Sequence, residues 1–111
     1  MNGTTAKRIL IALARKMSFD SIKRVNAPHG RNGYMLELVG KTSVHLAARP
    51  IGATDAYYSY DISTSSKWNK ILEALAGKEI IAYGYYHKPI VVHSVEQLAI
   101  DLELEGWLKN I

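Results

Sequence analysis

The chain is expected to fold as an α+β domain. An antiparallel sheet of four to six strands would pack against two or three helices, in the approximate order α-β-β-β-β-α-β-β-α. Three observations lead there. Apolar residues recur at helical spacing in Ala6, Ile9, Leu10, Leu13 and Met17, and again in Trp68, Ile71, Leu72 and Leu75. Between these stretches the pattern changes to strict alternation, the signature of half-buried strands. Turn-forming residues punctuate the alternating region at short intervals, too close for crossover helices between parallel strands.

The first helix is expected over residues 5–17, with Thr4 or Thr5 as its cap and Lys7, Arg8, Ile11 and Arg15 opposite its apolar face. Cations in a first turn oppose the helix dipole. Ser21–Asn26 reads as the first strand. Asn32-Gly33 then favours the positive backbone angles of a hairpin turn. In Tyr34–Val39, Tyr34, Leu36 and Leu38 point one way and Met35, Glu37 and Val39 the other. After a turn at Gly40-Lys41, Thr42–Arg49 alternates again. Val44, Leu46 and Ala48 face inward, while Ser43, His45, Ala47 and Arg49 face outward. Ala56–Ser63 is the expected fourth strand, with Tyr57, Ser59 and Asp61 outward.

Ser65 or Ser66 is positioned to cap the second helix, which Gly77 would stop. Glu79–His87 is β-prone, and His87-Lys88-Pro89 turns the chain into Ile90–His93. Ser94 with Gln97 three residues on is a capping-box pattern. It starts a third helix that runs to about Glu103, with a short segment after Gly106, although alternation over residues 98–105 also suits a strand. Leu10, Leu13, Leu36, Val44, Trp68, Ile71, Leu75 and Leu98 are the expected core. At 111 residues the chain is read as one domain, 1–111, long enough for a core without disulfides or a structural metal.

Charge is unevenly spread along the chain. Residues 1–49 carry nine Lys and Arg against Asp20 and Glu37, whereas residues 50–111 carry five Lys against eight acids. A cationic half attracts polyanions or acidic protein surfaces. With no cysteine, thiolate chemistry and cysteine-based zinc or iron–sulfur sites are excluded. No run approaches the length of a membrane span, so a cytoplasmic location is expected. Neither a cofactor nor a metal is expected. The four histidines have no helical i, i+4 pair and no cysteine partner.

Candidate contact residues follow from charge and from aromatic placement. Lys7, Arg8, Arg15, Lys23, Arg24 and Arg31 are expected to form a connected basic patch. The loop His29-Gly30-Arg31-Asn32-Gly33 offers close backbone approach, with His29 and Arg31 suited to a phosphate or carboxylate. Six of the seven tyrosines fall in two short segments, 57–60 and 83–86. Tyr57, Tyr83 and Tyr85 are expected to share the outward face with His45 and Arg49, because tyrosine suits recognition surfaces and base stacking. His45 with Asp61 or Glu37 is the candidate acid–base pair.

In element order, residues 5–75 resemble a double-stranded-RNA-binding domain. Pro28-His29 before Tyr34 is similar to that family's Pro-x-His loop, and Ser66-Lys67-x-x-Lys70 to the basic start of its second helix. The chain departs from it in the Pro–His spacing, an extra strand and residues 78–111, so the likeness is one of topology. The expected function is a non-enzymatic binding module for nucleic acid or a nucleic-acid-handling protein. In general character the chain is similar to small phage-type inhibitors of nucleases. The alternatives are a homodimeric or larger scaffold or small-ligand sequestering protein, and a small hydrolase or ribonuclease using His and Asp.

Overall fold

The computed structural model describes residues 1–26, 34–53, 67–85 and 87–109. Their elements are α1 (Gly3–Lys16), β1 (Ser21–Asn26), β2 (Tyr34–Val39), β3 (Val44–Pro50), α2 (Trp68–Ala74), β4 (Lys78–Tyr83), β5 (Ile90–Val92) and α3 (Val95–Leu104). This is an α+β fold. The five strands form one antiparallel sheet in the order β1-β2-β3-β4-β5. The expected hairpin turn at Asn32-Gly33 and the expected strand Ala56–Ser63 lie outside the described residues.

Helix α1 starts two residues earlier than its apolar pattern indicates. Its cap is Asn2, not Thr4 or Thr5: the Asn2 side-chain oxygen accepts from the Thr5 N–H at 2.8 Å. The helix ends on a Schellman turn. Ser18 N–H donates to Arg15 C=O and Phe19 N–H to Ala14 C=O, both at 2.9 Å. Ser18 holds the left-handed position at φ 70, where glycine is usual. The turn delivers the Phe19 ring into the core. Gly40 lies against it, and a Cβ there would sit 3.2 Å from the Phe19 ring.

Strand register separates the two faces of the sheet. Ile22 pairs with Leu38, Leu38 with Val44, Leu46 with Ala82, Ala48 with Ile80, and Ile80 with Ile90. All of these lie on one face, and the three helices cover it. Leu10, Leu13 and Met17 of α1 and its C-terminal turn, Ile71 and Leu72 of α2, and Leu98 and Leu102 of α3 join them in one buried cluster. Each fully buried leucine contributes about 1.5–3 kcal/mol of transfer free energy relative to exposure. Val44 and Trp68, expected in the core, are instead half-buried at its margin.

The other face corrects a second expectation. Met35 and Ala47, which the alternation turns outward, do lie on the far face, but both are buried, as is Ile81. Ala47 pairs directly with Ile81, and extending the β2–β3 register sets Met35 level with Ala47. The sheet is therefore buried on both faces at its centre. Alternation marks which face a residue occupies and carries no information on what covers that face.

The later elements show similar adjustments. Lys67, not Ser65 or Ser66, occupies the N-cap of α2, and no side chain caps it. β4 stops at Tyr83 rather than His87, because Gly84 takes φ 81 and turns the chain. Gly77 N–H donates to Val92 C=O at 2.7 Å, tying the end of α2 to β5. Ser94 caps α3 by accepting from Gln97 N–H at 3.0 Å. The Gln97 side chain does not complete the box; it donates forward to Asp101 at 2.8 Å. Residues 98–104 are helical, since their buried members Leu98 and Leu102 are four apart.

Two stability outcomes follow, both measurable by denaturant unfolding. Leu36→Ala removes a fully buried side chain from the centre of the sheet and should cost about 3–5 kcal/mol. Ser18→Gly should stabilise the fold, by up to about 1 kcal/mol, by relieving the left-handed residue. A neutral or destabilising result would show that the Ser18 side chain contributes more than its backbone strain costs.

Candidate functional site

On the far face a polar row crosses four strands: Lys23 on β1, Glu37 on β2, His45 on β3 and Tyr83 on β4. Lys23 Nζ lies 3.3 Å from a Glu37 carboxylate oxygen, and His45 Nε2 lies 3.8 Å from the other. The second separation exceeds hydrogen-bond reach. Glu37 thus sits between two cationic or potentially cationic neighbours. Asp61, the other acid expected beside His45, lies outside the described residues.

Farther along the same face Arg49 and Glu79 are directly paired across β3 and β4. Arg49 Nε donates to Glu79 at 2.8 Å, and Gly52 N–H donates to the other carboxylate oxygen at 3.2 Å. Both side chains are largely shielded from solvent. The hydrogen bond from Arg49, with that from the Gly52 amide, holds the Glu79 carboxyl below its ordinary value of 4.5. Arg49, expected as a contact residue, is thereby charge-balanced within the fold.

Tyr83 shares the outward face with His45 and Arg49, as the register requires. Tyr85 follows a different course. After Gly84 its N–H closes a turn onto Ala82 C=O at 3.0 Å. Its ring meets Phe19 edge-on, with centroids 5.1 Å apart and planes at 64°. It also lies nearly parallel to the His87 ring, at 6.3 Å and 19°. Tyr83, Tyr85 and His87 line a cleft of about 630 Å³ together with Ile81, Arg49 and Lys88. Reading His87-Lys88-Pro89 only as a turn missed this cleft. The signal available was a run of aromatic and cationic residues directly after a strand-ending glycine.

The expected basic patch is divided by the sheet. Arg24 lies on the helix-covered face and Lys23 on the far face, since neighbours in a strand point to opposite sides. Arg24 and Lys7 converge on Trp68, at 5.1 and 5.6 Å from the ring centroid. These are three different elements, α2, β1 and α1, meeting at one indole. Arg8 and Arg15 lie seven residues apart on the outer side of α1, about 10.5 Å along its axis. Lys67 and Lys70 are exposed beside Trp68 in sequence. Lys16 turns the other way, to Glu105 at 2.7 Å. His29, Arg31 and Tyr57 lie outside the described residues.

Among the described residues there is no group of three or more His, Asp or Glu that could hold a metal ion. No helix among them is long and apolar enough to cross a membrane. Comparison with protein-family models, with curated proteins and with solved structures finds no match for this chain.

The Arg49–Glu79 pair makes stability depend on pH with a defined sign. The Glu79 value is lowered in the fold, so its stabilisation is complete above the unfolded value of 4.5 and is lost as pH falls through the lower folded value. Glu79→Gln should therefore be less stable than the parent near neutral pH, and the difference should close below pH 4.5. Urea unfolding at a series of pH values measures it. A gap that stays constant into acid would show that the pair does not titrate with folding.

Proposed function

We propose that the chain is a non-enzymatic binding module that engages nucleic acid through the outer surface of α1 and the start of α2. The observation that carries this reading is the distribution of charge around Trp68. Lys7, Arg8, Arg15, Arg24, Lys67 and Lys70 belong to this side of the molecule, and Glu73 is the one acid in α1, α2 and their N-caps. Two of the cations, Lys7 and Arg24, are held over the indole, which lowers the ordering cost of presenting them to phosphates. Trp68 in this role positions cations and does not itself stack on bases. Such a surface reads the backbone more than the base edges, so binding should tolerate sequence changes and depend strongly on salt.

The test is fluorescence anisotropy with labelled single- and double-stranded oligonucleotides across a salt series. The parent should bind with a steep negative log–log slope, and Arg8→Glu with Arg15→Glu should weaken binding and reduce the slope magnitude by about 1.4–1.8 for two lost phosphate contacts. Arg8 is exposed and Arg15 half-buried, so the melting temperature of the double variant is measured alongside to separate lost binding from lost folding. Binding that is insensitive to salt would overturn the reading.

Self-association is a second reading with its own observation. Ile100 and Leu104, four apart on α3, are 50% and 81% exposed, and Trp107 beyond the helix is 38% exposed. An apolar strip of this kind is a feature of interfaces. Light scattering of the parent and of Leu104→Glu decides it: a parent dimer that the substitution converts to monomer supports this reading, and a monomeric parent removes it.

A further inference from the structure

The cleft beside β4 is chemically unlike the helix surface, and it lies on the opposite side of the sheet, where Arg49, Ile81 and Tyr83 share the far face. Its volume of about 630 Å³ falls within the range of small-molecule sites, roughly 300–1,000 Å³. Its described lining combines apolar surface from Ile81 and Pro89, the rings of Tyr83, Tyr85 and His87, and the cations Arg49 and Lys88, with no acid.

Four contacts hold these groups in place before any ligand arrives. The Tyr85 ring is fixed edge-on against Phe19, which is itself buried in the core, and it lies nearly parallel to His87. His87 Nδ1 lies 2.8 Å from Lys88 C=O. A carbonyl can only accept, so in this contact Nδ1 is the donor, which orients the ring. Arg49 uses Nε for Glu79, which fixes the guanidinium plane while its two Nη nitrogens remain as donors. Lys88 is exposed and forms no ion pair among the described residues.

We propose that this cleft binds a small aromatic phosphate of the nucleoside monophosphate class. The planar base lies against the tyrosine rings, and the phosphate is drawn to Lys88 and the Arg49 Nη donors. Ring stacking is tolerant of base identity, since every base presents a π-face. Phosphate on cationic donors supplies charge-assisted hydrogen bonds, which are about twice as strong as neutral ones. An aromatic ligand without the anion would leave the Lys88 ammonium and the Arg49 Nη donors unused, and inorganic phosphate would leave the rings unused.

The experiment is an amide-shift NMR titration of the full chain with adenosine 5′-monophosphate, adenosine and inorganic phosphate. The expected result is saturable shifts for the monophosphate at Ile81–Tyr85 and His87–Lys88. Affinity for adenosine or phosphate alone should be about tenfold weaker or more. Lys88→Glu, at an exposed position with no ion pair to lose among the described residues, should weaken monophosphate binding by about tenfold, and Tyr83→Leu should weaken it while retaining apolar bulk. The absence of saturation, shifts confined to the Lys7, Arg24 and Trp68 surface, or adenosine binding as tightly as its monophosphate would each overturn the proposal. Oligonucleotide binding by Arg8→Glu with Arg15→Glu is read separately, so failure of the helix surface and failure of the cleft are distinguishable.

Discussion

The pairing of β4 with β3 is the constraint on which the rest of this structure depends. Helix α2 separates the two strands in sequence, yet they are neighbours in the sheet over six residue pairs, from His45–Tyr83 to Pro50–Lys78. That register sends Leu46, Ala48, Ile80 and Ala82 to the helices and Ala47 and Ile81 to the far face. A slip of β4 by one residue would turn Ile80 and Ala82 to the far face and bring Glu79 and Ile81 round to the helices. β5 joins the sheet through β4, and α3 packs behind β5. The C-terminal part of the fold therefore inherits its position from this one pairing.

The same pairing changes the meaning of the uneven charge. A cationic first half and an anionic second half suggest a long-range field when the chain is read as a line. Folding brings the halves together, and Arg49–Glu79 and Lys16–Glu105 are ion pairs between them. Lys23 is paired within its own half, with Glu37. These pairs reduce the positive charge of the far face and of the α1–α3 side. On α1, α2 and their N-caps cations still outnumber acids, since Glu73, 3.7 Å from Lys70, is the one acid there. The functional reading thus moves from the whole N-terminal half to one side of it, and the tyrosine face becomes a separate question about a cleft.

That cleft is shaped by local backbone events rather than by strand alternation. Ser18 in the left-handed region ends α1 and places Phe19; Gly84 in the left-handed region ends β4 and places Tyr85 against Phe19. Two short turns, more than sixty residues apart in sequence, meet at a single ring contact. An extended strand through His87 would have kept Tyr85 in line with Tyr83 on the far face and left no recess between them.

The amino-acid sequence by itself determined the type and order of the elements described, the inward faces of β2 and β3 and the helical apolar stripes. These follow from periodicity, which depends on backbone geometry alone. The Ser94 cap and the end of α2 near Gly77 were legible for the same reason, being set by residues within a few positions of each other. Only the tertiary structure decided that Met35, Ala47 and Ile81 are buried on the far face, that Trp68 sits at the core margin under two cations, and that Arg49 is balanced by Glu79. Each of these depends on a partner from a distant element. Register, packing and charge balance become defined only when those elements come into contact.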